Sequence, residues 1–362
     1  MRELILSQAP ARICLFGDHQ DYLKLPVIAT SIDRILEIKG SENGTEEFII
    51  QKKDLKTKQV ISIHSRKESI PSGDFLRMGL KVLSSYGCIP SQGYDIIIEG
   101  NIPINSGLSS STAVVVAWIQ FLIEAFGVEA EITPAWIAQR AYEVEVLEFN
   151  TAGGSMDQYS IAVGGLIYLE TVNNSFSKLA LPSVQFVIGV SGVAKDTFGS
   201  LSFLKKQTLK AVEQVKKALP FFEIKEAKKN DLKKYLKHVN ADLKPFLTAA
   251  ILNHNITLHA RSEFYKSNPN PIVLGDLMNQ HHEQLQKNLK ITPPRIDAMI
   301  EAVLKVGVCG AKIVGSGGGG CIVAMTVKNN TDELINALLE AGAVDAFVTA
   351  PASGSSSKKI NQ

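Results

Sequence analysis

Five of the six residues from Gly315 to Gly320 are glycine, and this run constrains the fold more than any other feature of the chain. Glycine gives a core nothing to pack and loses the most backbone entropy on folding. Such a run therefore points to a close approach of backbone to a ligand or to another chain segment, with a plain flexible hairpin as the competing reading. Apolar, β-type residues flank it on both sides, Ala311 to Val314 and Cys321 to Val327. The glycines at 315, 317 and 320 satisfy GxGxxG, but a dinucleotide fold needs a helix after this turn and a strand follows here, so a Rossmann reading fails on context. GxxxxGK[ST] does not occur, which excludes the usual P-loop ATPase.

A second turn lies between Ile102 and Ala113, where a strand passes through Asn105, Ser106, Gly107, Leu108, Ser109, Ser110 and Ser111 into a strongly apolar helix expected over 109–126. A helix start of this kind presents unpaired N–H donors and about half a positive charge. Three successive hydroxyls add donors or a magnesium ligand, so phosphate is the natural occupant. The competing reading is a helix start with more caps than it needs, since one serine suffices.

Three acidic clusters accompany these turns. An apolar strand from Ala9 leads Arg12 into a turn that bunches Asp18, His19 and Asp21. These side chains suit vicinal hydroxyls better than a metal, for which one histidine and two aspartates are a poor set, although a polar surface turn has the same composition. Thr133 can cap and Pro134 can start a helix running to about Phe149. On it, Glu145 falls in register with Ile137, Ala138 and Ala141, an apolar stripe where a carboxylate needs a partner. Mg²⁺ held also by a hydroxyl of the serine turn would supply one. Asp157 stands just past Gly153 and Gly154, where taken alone it reads as a helix cap.

The 362 residues, at about 150 per domain, predict two domains. Strands and turns dominate to about residue 100, and after residue 180 one strand is followed mainly by helices, so an α+β chain is expected, divided into 1–180 and 181–362 around a shared interface. The tail from Ser353 is polar and expected to fray. Thirty-eight basic against 36 acidic residues give a net charge of +2, which argues against nucleic acid or an anionic membrane as the partner. Seven lysines between 225 and 244 read as a solvated helix face. No apolar run reaches the ~20 residues of a membrane helix, and the first residues show no signal-peptide pattern, so a cytoplasmic location is expected. Cys14, Cys88, Cys309 and Cys321 are too scattered for a disulfide framework or a zinc site and read as core residues.

Taken in order, these stretches resemble the three motifs of the GHMP kinase superfamily, named for galactokinase, homoserine kinase, mevalonate kinase and phosphomevalonate kinase. The second motif is Pro103-x-x-x-Gly-Leu-Ser-Ser-Ser and the third is Lys312-Ile-Val-Gly-Ser-Gly-Gly-Gly-Gly-Cys. In the first, Arg12 and Gly17-Asp-His-Gln-Asp-Tyr22 are similar to the galactokinase branch, as is Ser155-Met-Asp-Gln158. The resemblance implies a two-domain GHMP kinase fold, with an N-terminal mixed sheet and helices and a C-terminal α/β sandwich. It implies transfer of the ATP γ-phosphate to the anomeric hydroxyl of a small-molecule sugar, with Mg²⁺.

By position, residues 105–111 resemble the triphosphate cradle, Ser111 and Glu145 the magnesium ligands, and Asp157 beside Arg12 the catalytic pair. Asp18, His19, Asp21 and Gly317 would meet the substrate. Lys195 to Thr197 and His281-His282 are further candidates for the cleft wall. Asp18 stands where a glutamate is usual, Leu23-Lys-Leu-Pro replaces a glycine-bearing turn, and Asn150 and Ala152 replace a glycine and an asparagine. These departures leave galactose, another aldose or a uronic acid as substrates, with mevalonate-type alcohols and a non-catalytic sugar-sensing regulator as the rivals.

Overall fold

Burial along the first strand alternates to about Gln8 and is then continuous to Phe16, as expected of a strand that starts at a solvated edge and runs into a layer covered on both faces. The computed structural model describes residues 3–65, 69–193, 197–327 and 329–361. In chain order it builds β1 (Glu3–Phe16), β2 (Val27–Glu42), β3 (Glu47–Lys52), β4 (Thr57–Ser62), α1 (Phe75–Ser84), β5 (Tyr94–Gly100), α2 (Ser110–Phe126), α3 (Pro134–Tyr142) and α4 (Met156–Val163). There follow β6 (Leu166–Glu170), β7 (Ser175–Lys178), β8 (Gln185–Val190), α5 (Thr197–Ala218), α6 (Leu232–Leu236), α7 (Lys244–Phe264), α8 (Pro271–Glu283) and α9 (Pro294–Val306). The chain closes with β9 (Gly310–Ile313), β10 (Cys321–Thr326), α10 (Thr331–Glu340), β11 (Asp345–Thr349) and β12 (Ser356–Asn361).

Two sheets result. The larger runs β12-β1-β2-β5-β3-β4, with β6 also on β2 and β7 on β6; its β3–β5 pair is parallel, which makes it mixed. The smaller, β11-β8-β10-β9, is antiparallel throughout. Alternation along β8 divides its faces. Val187 packs with Met299 of α9 and Leu338 of α10, whereas Phe186, Ile188 and Val190 join the buried cluster that also holds β1 and α2. The N-terminal and C-terminal halves thus share one apolar core.

The helix predicted over 109–126 is α2, and it is apolar around most of its circumference because it lies inside the first layer; Trp118 and Phe121 are fully buried, and the indole N–H of Trp118 donates to the Leu76 carbonyl at 2.9 Å. The helix predicted to Phe149 is α-helical only to Tyr142 and continues as a π turn over Glu143–Leu147. The lysine segment is irregular, with two 3-10 turns ahead of the short α6, and all seven lysines are exposed. Cys14, Cys88 and Cys321 are buried and Cys309 is half-buried, and none of the four forms a disulfide.

The tail corrects its expectation. β12 pairs antiparallel with β1 from Glu3↔Asn361 to Gln8↔Ser356, and Ser357 donates to Glu124 of α2 at 2.8 Å. Polar residues suit this strand because it forms a solvated sheet edge, where one face needs no apolar side chains. Residues 356–361 therefore complete the N-terminal sheet, across the boundary expected near 180.

Candidate active site

The serine turn, the π turn, the start of α4 and the acidic turn after β1 surround one cleft of about 330 Å³. Arg12 reaches it from β1. Its guanidinium grips Asp157 with two bonds, Nε to Oδ1 at 2.8 Å and Nη2 to Oδ2 at 2.7 Å, while Nη1 donates to the Gly107 carbonyl at 2.5 Å. This paired geometry holds the carboxylate in a fixed plane at the cleft surface. Both residues line the cleft, but Arg12 is almost wholly buried while Asp157 is 27% exposed at its side chain, so the carboxylate is the more open of the two.

Ser109 is the N-cap of α2, yet its side chain makes no capping bond. It sits in the left-handed region at φ 62°, uncommon outside glycine, and its hydroxyl donates to Asp157 Oδ2. The reading of this turn as surplus caps is thereby answered for Ser109, whose hydroxyl serves the carboxylate. Ser106 donates to the Pro103 carbonyl and shapes the turn from within. Ser110 and Ser111 open the helix at the cleft, with N–H groups of the first turn beside them.

Glu145 comes to the same place from the π turn. Such a turn shifts the helix register at a functional position, and here it carries the carboxylate to α2. Oε1 accepts the Ser111 hydroxyl at 3.1 Å, and Oε2 accepts Thr112 at 2.8 Å and the Gln158 amide at 2.7 Å. Burial pushes the Glu145 carboxyl up and its three partners pull it part of the way back. Asp21 is also pushed up, to about 6, by burial and by the charge of Asp157. Its carboxylate accepts the backbone N–H groups of Tyr22 at 2.9 Å and Met156 at 3.5 Å.

The glycine run packs against the serine turn. At Gly320 a Cβ would lie 2.4 Å from the Ser106 carbonyl oxygen, and at Gly315 3.0 Å from that of Gly107; both residues have positive φ. At these two positions the close approach that the glycine run implies is to the backbone of the candidate phosphate turn, whereas Gly319 approaches the Val193 carbonyl.

Two family descriptions match the chain, GHMP kinases N terminal domain over residues 75–165 and GHMP kinases C terminal over residues 263–344. The chain belongs to the GHMP kinase superfamily. It is an ATP-dependent phosphotransferase acting on an alcohol, and the family uses ATP with Mg²⁺. Mevalonate kinase of Thermococcus sibiricus is 26% identical over 339 residues, 91% of each chain. Galactokinase of Haemophilus influenzae is 27% identical over 342 residues, 91% of this chain and 86% of that one. The crystal structure of Lactococcus lactis galactokinase complexed with galactose is 20% identical with a TM-score of 0.85, covering 99% of this chain and 95% of that chain, and shows the shared fold.

Within this kinase the cleft gathers Arg12, His19, Asp21, Asn105, Ser106, Gly107, Ser109, Ser110, Ser111, Glu145 and Asp157. Three expectations are corrected. Leu108 points into the core, wholly buried, and contributes only its carbonyl, which accepts Arg12 N–H at 3.2 Å. Gly317 faces Ile291, 2.6 Å from where its Cβ would be, and Gly315 and Ser316 line the cleft in its place. Asp18 also lines the cleft, but it is 1% exposed, and its two carboxylate oxygens are already engaged inside the protein, by the Lys312 ammonium at 2.6 Å and the Gly315 N–H at 3.0 Å. His281 and His282 are buried away from the cleft, and burial with the nearby Lys312 holds them uncharged, at about 3 and about 4. Lys195 and Asp196 lie outside the described residues. Thr112, Gln158 and Ser316 had no assigned role in the sequence, although Thr112 extends the run of hydroxyls and Gln158 follows Asp157 directly.

Among the described residues no three His, Cys, Asp or Glu side chains form a metal cluster. Ser111 and Glu145 supply a hydroxyl and a carboxylate, hard oxygen donors that fit Mg²⁺ when the triphosphate and water complete its shell. No helix among the described residues is long and apolar enough to cross a membrane.

Proposed function

We propose that this kinase phosphorylates the anomeric hydroxyl of a neutral monosaccharide, with galactose the foremost candidate. One observation carries the reading: two carboxylates, Asp21 and Asp157, face the acceptor side of the cleft. Arg12 is the only lysine or arginine among the described residues that line it, and it is committed to Asp157. A neutral polyol can donate hydroxyls to these acids. An acceptor that carries its own carboxylate, such as mevalonate or a uronic acid, would meet repulsion without a free cation to answer it. A relative named galactokinase at 27% identity supports this reading, and one named mevalonate kinase at 26% shows why charge, not overall similarity, has to decide it.

In this mechanism Asp157 Oδ accepts the proton of the acceptor hydroxyl as that oxygen attacks the γ-phosphorus. The bond from the γ-phosphorus to the β–γ bridging oxygen breaks and ADP leaves. Arg12 fixes the plane of the base and places positive charge beside the transferring group. The turn at 105–111 holds the phosphates through N–H groups at the start of α2. Ser111 and Glu145 would hold Mg²⁺, whose charge offsets that of the phosphates. His19 and Asp21 orient sugar hydroxyls.

The test is ADP release with Mg·ATP over galactose, N-acetylgalactosamine, arabinose, glucuronate, galacturonate and mevalonate. Turnover of a neutral sugar at a kcat/KM at least about 100-fold above the acids supports the reading. Preference for mevalonate or a uronate overturns it, and release of no ADP on any acceptor would favour a sugar-sensing regulator.

A further inference from the structure

Lys312 is wholly buried, lies outside the cleft lining, and comes from β9 in the C-terminal half of the chain. Its three ammonium protons are matched by three acceptors, Asp18 Oδ2 at 2.6 Å, the Ile313 carbonyl at 2.7 Å and the Cys14 carbonyl at 3.0 Å. Asp18 in turn accepts the Gly315 N–H at the mouth of the glycine run. Burial pushes the Asp18 carboxyl up, and Lys312, together with His281 and Cys14, more than reverses this.

A buried ion pair is a weak source of stability, because apolar residues of similar volume often do as well or better. What it does provide is one fixed geometry, and the segment fixed here is specific. The residue after Asp18 is His19, in the left-handed region at φ 62°, with Nε2 3.2 Å from the Ser316 carbonyl and Nδ1 3.2 Å from the Tyr22 hydroxyl. Two residues further on is Asp21, turned into the cleft. The Gln20 side chain is tied to α7 through the Ala250 carbonyl and the Thr257 hydroxyl. A turn from the N-terminal half is thus held by side chains and backbone of the C-terminal half at successive residues.

We propose that Lys312 is a positioning residue for the acceptor side of the site: by holding Asp18 it sets the turn that presents His19 and Asp21 to the substrate. The inference rests on reading residues 18–22 as the acceptor turn. Lys312 touches neither substrate nor reacting atoms, and its effect falls on acceptor recognition, leaving ATP binding near its original strength.

The experiment compares full-length Lys312→Met, Asp18→Asn and the double variant, in which no buried charge is left unpaired. The single variants are expected to lose thermal stability and the double variant to recover most of it. In the recovered double variant, amide hydrogen exchange over residues 17–23 should rise at least about 10-fold while β9 and β10 stay protected. KM for the acceptor that the wild type turns over should rise at least about 10-fold, with KM for ATP within about 2-fold. Unchanged exchange over 17–23 in the folded double variant overturns the proposal, and so does a rise in KM for ATP equal to that for the acceptor. Exchange needs no substrate, so a wild type that phosphorylates no sugar would count against the sugar reading and leave the exchange result to decide on Lys312. Lys312→Arg, which keeps the charge, should retain more acceptor affinity than Lys312→Met.

Discussion

Ser111 and Glu145 meet across the cleft from different elements, the start of α2 and the π turn after α3, hydroxyl to carboxylate at 3.1 Å. A half-buried carboxylate that faces a hydroxyl across the cleft, with its carboxyl pushed up by desolvation, is poised for a cation.

Glu145→Gln should therefore separate metal use from folding. Without Mg²⁺ its Tm should equal or exceed that of the wild type, because a desolvated charge has been removed. With Mg·ATP its kcat should fall by about 100-fold and the Mg²⁺ concentration for half-maximal rate should rise. Melting curves with and without Mg·ATP, together with a magnesium titration of the rate, check both; an unchanged magnesium titration would remove Glu145 from the metal site.

Asp157→Asn keeps an acceptor for Arg12 and Ser109 but cannot take a proton. Its kcat should drop by about 10² to 10⁴, the usual span for a lost general base, while calorimetry shows ATP affinity within a few-fold. Near-normal turnover would show that Asp157 serves as an electrostatic anchor.

Asp21, with its carboxyl raised to about 6, gives a pH dependence with a definite sign. The folded state holds this proton more tightly than the unfolded chain, whose aspartate titrates near 3.9. The protonated form therefore favours folding, and that contribution is lost as pH climbs through about 6. Acceptor binding runs the other way, because hydroxyl donors need the ionised acid. The kcat/KM for the sugar should fall as pH drops below about 6. Asp21→Asn should flatten that limb, weaken acceptor binding at pH 7.5 and raise the melting temperature there.

Ser109→Gly and Ser109→Ala distinguish conformation from chemistry at one residue. Glycine adopts φ 62° freely, so the first variant should gain about 1 kcal/mol in urea melts relative to the second. Both lose the hydroxyl that Asp157 accepts, so kcat should fall several-fold in each. Full activity in the glycine variant would assign the hydroxyl no part in turnover.

Legibility in the sequence followed the kind of force at work. The glycine run and the apolar helix after the serine turn were readable because each reflects a local necessity, close backbone approach in one case and burial all round in the other. The pairing of Arg12 with Asp157 was readable only by resemblance, since 145 positions separate them and no periodicity links them. The pairing of Asp18 with Lys312 was not readable, because a carboxylate in a polar turn looks alike whether it faces a sugar or a buried lysine, and Lys312 sits in a strand whose other residues are apolar. The π turn left no trace, because the helical period of Ile137, Ala138 and Ala141 continues into it. β12 was missed because Ile360 is its only apolar residue and Ser357 meets α2 through a hydrogen bond, so the strand lacks the apolar alternation that marks a half-buried one.

The pairing of β12 with β1 also orders events in time. Glu3 meets Asn361, so the two strands lie far apart in the sequence, and no piece of the chain that stops short of β12 can complete the first sheet. During synthesis β1 can pair with β2 early, but its other edge stays open until β12 has emerged. For that interval the nascent protein carries an unpaired strand edge, a natural landing place for a chaperone or for another unfinished copy.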